Sequence, residues 1–129
     1  MVDVCLLFGG TRVSCHKLIL VGTCEYFKRI FFTNMSEKHS KEVNIKGISG
    51  NIGILVVDFL YSRNIEITVD NAQALLEAGE MLILDNLKQK VEQFLIGQLE
   101  AQNCISILNL GRLYELKTLV ESTRQFLTD

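Results

Sequence analysis

The 129 residues contain no proline. Proline is what commonly stops a helix or stiffens a long connection, so its absence fits helices packed close together on short links. Lysine and arginine form no basic block, and the net charge is −2 with a pI of about 5.7. Binding a phosphate backbone needs clustered cations, so nucleic acid is not expected as a direct partner. Long apolar runs are also missing. The uncharged stretch Gly47 to Val57 is far short of the ~20 residues a membrane span needs, so no membrane partner is expected. The N-terminus carries no basic segment followed by a signal-type apolar run. Cys5, Cys15, Cys24 and Cys104 never form a C-x-x-C pair, and each lies among apolar neighbours. Reduced, buried thiols follow from that pattern. The expectation is a soluble intracellular domain of the cytoplasm or the nucleus.

What is present is enough apolar residue for one well-packed core, at 48% of the chain. The first 27 residues organise it. Val4, Leu6 and Phe8 alternate with Cys5 and Leu7, Gly9-Gly10 breaks the run, and Thr11 to Cys15 resumes it, which predicts a β-hairpin. Both faces of the first strand are apolar, so cover on both sides is expected. The period then lengthens. Leu18, Leu20 and Val21 precede Gly22, and Glu25 to Thr33 predicts a helix with Phe27, Ile30 and Phe31 turned inward. Residues 33–40 read as a loop or a ragged helix end, and Val43-Asn44-Ile45 as a short strand. Asn51 to Ser62 is apolar nearly all round, so it predicts a central helix capped by Ser49 or Asn51. Ile65 to Val69 alternates and predicts an edge strand. Asp70 and Gln73 resemble a capping box for a helix reaching about Leu82, with Leu75, Leu76, Gly79 and Leu82 facing the core. Three more helices are expected. One begins at Asp85 or Asn86, one runs Cys104 to Leu113 with Asn103 as cap, and one runs Glu115 to Leu127. Strands early and helices late argue against a parallel βαβ architecture and predict an α+β fold.

No catalytic constellation emerges. Cys15 and His16 are adjacent, so on a strand they point to opposite faces and cannot act as a nucleophile and its base. The cysteines and His39 have no metal-ligand spacing, so no metal, cofactor or catalytic residue is expected. His16 reads as structural, bonding to backbone where strand becomes helix, and Asp3 as a buried or capping acid. Gly9-Gly10 lacks the Gly-Lys-Ser/Thr that would follow in a phosphate loop. Glu77/Glu80 and Glu92/Glu100 are assigned to solvated helix faces.

The order of short motifs resembles a known family. Asp3-Val4, His16 to Leu20 and Glu25-Tyr26-Phe27 resemble the opening of the BTB (POZ) domain. The similarity continues through Met35-Ser36-Glu37, Phe59 to Ser62, Ile65 to Asn71, Leu75 to Ala78, Leu82 to Leu87 and Phe94-Leu95. Gln98-Leu99 and Asn103-Cys104 resemble the junction into the BACK region of Kelch-like proteins. The resemblance implies a BTB/POZ fold over 1–102, a small sheet flanked by helical hairpins, with the first BACK-like helices over 103–129. It further implies an adaptor that recruits a cullin-3 scaffold to a ubiquitin ligase. The alternative is an oligomerisation or scaffolding module of a transcription regulator or cytoskeletal protein.

The resemblance also points to residues. Phe32, Asn34, Met35, Ser36 and Glu37 fall where such adaptors meet the cullin-3 N-terminal domain. An apolar thioether two residues before an acid suits a pocket with nearby donors. Leu110, Leu113 and Tyr114 fall where the post-BTB helices of similar adaptors receive an extension of the cullin. At helical spacing these three read equally as core, and Met35 as a residue packed at a helix end. The helix and strand that ordinarily precede Asp3 and build a swapped dimer are missing. A homodimer or hetero-oligomer with an altered interface is therefore expected. Gly79 replaces the family's usual alanine, a cysteine often found near Val91 is absent, and these 129 residues hold no Kelch repeat.

Overall fold

The computed structural model describes residues 3–33 and 42–128, with side chains up to Phe31 in the first stretch. Among these residues the architecture is α+β, and it divides into two compact units. One comprises Met1–Glu66 with Met81–Leu84, the other Ile67–Glu80 with Asp85–Asp129.

The first unit is built on the hairpin. β1 (Val4–Phe8) and β2 (Thr11–Cys15) pair antiparallel, with Val4 opposite Cys15 and Phe8 opposite Thr11. Gly9 takes the positive φ of 62° that so tight a turn requires. β3 (Glu42–Ile45) lies parallel to β1 on its other edge, giving the order β2-β1-β3. Burial along β1 alternates: Val4, Leu6 and Phe8 are enclosed, while Cys5 and Leu7 are half-buried. The cover expected on both faces is therefore complete on one only. On the other, Arg12 reaches across β1 to Glu42 at 2.7 Å.

α1 (Lys17–Thr23) and α2 (Glu25–Thr33) form the expected helical hairpin. Phe27 and Phe31 point inward with their rings stacked, centroids 6.3 Å apart. α3 (Gly50–Ser62) packs on the sheet through Ile52, Val56, Val57, Phe59 and Leu60. Its approach is set by Gly53, where a Cβ would fall 2.5 and 2.6 Å from Cδ2 and Cδ1 of the buried Phe8 ring. The central position expected for α3 holds for that side only. Ile54 and Tyr61 are 43% and 40% exposed, with Asp58 between them on the same face. The expected strand over Ile65–Val69 does not form. Ile65 and Ile67 are half-buried and Glu66 and Thr68 exposed, so the alternation is genuine. Alternation reports the two faces of an extended backbone, whereas a strand needs a ladder partner.

The second unit is helical. α4 (Ala72–Met81) begins two residues later than Asp70. Its box is Thr68 and Asn71. The Thr68 N–H donates to Asn71 Oδ1 at 2.8 Å, and the Asn71 N–H donates back to Thr68 Oγ1 at 3.1 Å. Leu75, Leu76 and Gly79 are buried as expected, and so is Leu82 in the first unit. α5 (Asp85–Ile96), α6 (Cys104–Leu113) and α7 (Lys117–Thr128) follow. Asn103 stands before α6 as foreseen, but its side chain clasps the preceding turn. It accepts from the Glu100 N–H and donates to the Gln98 carbonyl, both at 2.7 Å. Glu115 takes a φ of 57°, which delays the start of α7 to Lys117. Glu92 is buried, against the expectation of a solvated face, and its Oε2 accepts from the Leu119 N–H at 2.8 Å. An acid on α5 thereby caps α7.

Two substitutions test this packing. Gly53→Ala adds about 0.5–1 kcal/mol of helix propensity but overpacks Phe8 by about 1–3 kcal/mol. The urea midpoint should fall, whereas a rise would mean the approach is loose. Glu92→Ala should cost about 1–3 kcal/mol by leaving a buried N–H unpaired, and Glu92→Gln should recover most of it.

Candidate functional site

The cullin-facing stretch named from sequence is divided by the described range. Asn34, Met35, Ser36 and Glu37 lie outside the described residues, as does the Phe32 side chain. Beside them Phe31 takes the inward place, with the Lys17 ammonium 5.5 Å from its ring centroid.

In the second unit the structure separates the other three candidates by environment. Tyr114 is buried, and its hydroxyl bonds Glu77. Burial raises its pKa, and the charges of Glu77 and Glu80 push it further in that direction. Glu77 and Glu80 are exposed but partnered, since Glu80 also pairs with Lys88 at 2.5 Å. Leu110 is half-buried, and Leu113 is 68% exposed. A groove of about 410 Å³ runs between α6 and α7. Gly111, Leu116 and Val120 line it with Arg112, Lys117 and Arg124. Its walls are neighbours of the three residues chosen from sequence. The groove exists because Gly111 lets α7 approach closely: a Cβ there would meet Val120 Cγ2 at 3.0 Å.

The surface of the first unit holds exposed apolar groups. Leu18 on α1 is 84% exposed. Along α3, Leu55, Asp58 and Tyr61 line a groove of about 550 Å³ with Asn64, Ile65 and Glu66. The junction from β2 into α1 is fixed from this side. The His16 N–H donates to Tyr61 Oη at 2.8 Å, and His16 Nδ1 lies 2.9 Å from the same oxygen. His16 is structural as expected, but its ring partner is a phenol 45 residues on, not backbone. Asp3 Oδ1 accepts from the Lys17 N–H at 2.7 Å, so Asp3 caps α1.

The thiols are free. Cys15, Cys24 and Cys104 are buried and Cys5 is half-buried. Cys24 donates to the Leu82 carbonyl at 3.3 Å, and burial raises its pKa. Burial, with a smaller contribution from Cys5, pushes the Cys15 thiol up to about 11. Protonated thiols are poor nucleophiles and poor metal ligands. No group of three or more His, Cys, Asp or Glu among the described residues could hold a metal ion. None of their helices is long and apolar enough to cross a membrane.

An α+β unit whose polar groups serve helix ends, and whose outer faces carry aliphatic and aromatic groups, has the features of a docking module. The chain belongs to the BTB/POZ domain family, whose family model matches residues 1–99. BTB domains mediate protein–protein interaction and oligomerisation. Kelch-like protein 38 of Danio rerio is 32% identical over 123 residues, covering 95% of this chain and 21% of its own length. Kelch-like protein 23 of Mus musculus is 34% identical over 119 residues, covering 92% of this chain and again 21% of its own length. The chain thus spans about a fifth of the curated relatives it matches. Among solved structures, the BTB domain of zebrafish PATZ1 superposes with a TM-score of 0.65 at 26% identity, over 76% of this chain and 77% of that one. The BTB domain of human Gigaxonin gives 0.64 at 25% identity, over 71% and 75%.

Thiol burial generates a pH prediction. Cys15 ionises near its ordinary 9.0 in the unfolded chain and near 11 in the native one. Between these values the native state keeps a proton that the unfolded state has lost. Stability is therefore complete below about pH 9 and declines as pH rises toward 11. Urea midpoints across that window should fall, and Cys15→Ala should flatten the slope.

Proposed function

We propose that this chain is the cullin-recruiting part of a Kelch-like adaptor, bringing a cullin-3 scaffold to a ubiquitin ligase. One observation carries the reading. The Kelch-like relatives align over 92–95% of the chain, well past the BTB match at residue 99 and into α6 and α7. A BTB domain followed by related helices is the arrangement the adaptor reading needs. On this view the BTB domain ends at Leu99-Glu100-Ala101-Gln102, and 103–129 begins a BACK-like region. The chain contributes no chemistry. On this reading it works in the cytoplasm or the nucleus by surface shape, with neither cofactor nor metal. Reading it as the scaffolding domain of a transcription regulator or cytoskeletal protein explains the BTB match but not the similarity beyond it.

Contact with the cullin-3 N-terminal domain is assigned to Phe32, Asn34, Met35, Ser36 and Glu37, with Leu110, Leu113 and Tyr114 supporting an extension of the cullin. Exposed Leu113 suits such contact directly. Buried Tyr114 can act only by holding the α6 end in place through Glu77. Calorimetric titration against the cullin-3 N-terminal domain tests the assignment. Met35→Asp or Glu37→Lys should weaken binding more than tenfold, about 1.4 kcal/mol, with an unchanged circular dichroism spectrum. Unchanged affinity would move the contact elsewhere on the domain.

A second role is self-association, as a homodimer or hetero-oligomer through the α1–α3 side of the first unit. Leu18 on α1 and Ile54 and Tyr61 on α3 are exposed, and a solvent-facing leucine at 84% exposure gains most from being covered. Sedimentation should show Leu18→Glu associating at least tenfold more weakly than the parent chain. Equal association would take this side out of the interface.

A further inference from the structure

We draw no further inference here: the strongest candidate, the groove between α6 and α7 with Arg112, Lys117 and Arg124 around an apolar floor, also carries Glu115 and Glu121, so its charges nearly cancel and nothing in the structure shows what covers it.

Discussion

Phe8 can be buried at the centre of the first unit only because residue 53 has no side chain. The ring sits at the end of β1, the strand bonded on both edges, and α3 lies across it where Gly53 brings helix backbone against the ring without an intervening Cβ, as Gly50 does against Thr11 of β2. The rest of the unit follows from that approach. A helix this close brings Tyr61, two turns on from Ile54, within reach of His16, and His16 marks where β2 turns into α1. Moving α3 outward by a methyl group would disturb the sheet packing. It would also loosen the bond that starts the helical hairpin.

Both units use the same device at their helix ends, an acceptor or donor brought from far along the chain. Asp3 precedes β1 and caps α1. Glu92, buried on α5, caps α7, 27 residues later. The Cys24 thiol holds the Leu82 carbonyl just after α4. Local capping is uneven. Thr68 and Asn71 close a tight box before α4, whereas Ser49 Oγ lies a long 3.4 Å from the Ile52 N–H, and Asn103 serves the turn before α6. A helix end held by a distant side chain forms only when the tertiary structure forms, which ties helix formation to packing.

That device explains what the sequence made legible. The apolar periods of β1, α2, α4 and α5 fall where the core is, because burial is what creates a period. The hairpin was readable from Gly9-Gly10, whose turn needs a positive φ at its first residue. Helix ends were less readable. Arg63, Ile83 and Glu115 all adopt left-handed backbone after a helix, and none is the glycine or asparagine that signals such an end. Asp70 looked like a cap because it precedes a Gln by three, yet the box is closed by Thr68 and Asn71. Glu92 looked solvated because a charge on a helix ordinarily is, and its partner is a backbone N–H that no side-chain pattern reveals. Ile65 to Val69 had the pattern of a strand without the neighbour a strand requires. Of the candidate site, Leu113 was legible as a surface group only in the fold, because its spacing equally fits a core position.

The same logic bears on why the chain acts through its surface. Several of its ionisable groups are committed within the fold: Glu92 and Asp3 to helix ends, Glu77 and Glu80 to Tyr114 and Lys88, and His16 to a phenol. The buried thiols of Cys15 and Cys24 are held in the protonated form. Apolar side chains, by contrast, are left exposed at Leu18, Ile54 and Leu113, each beside buried neighbours on its own helix. A fold that leaves aliphatic groups in water gains free energy by covering them with another protein surface. For a BTB/POZ domain that is the expected use, and it makes the shape of those faces the property that selects a partner.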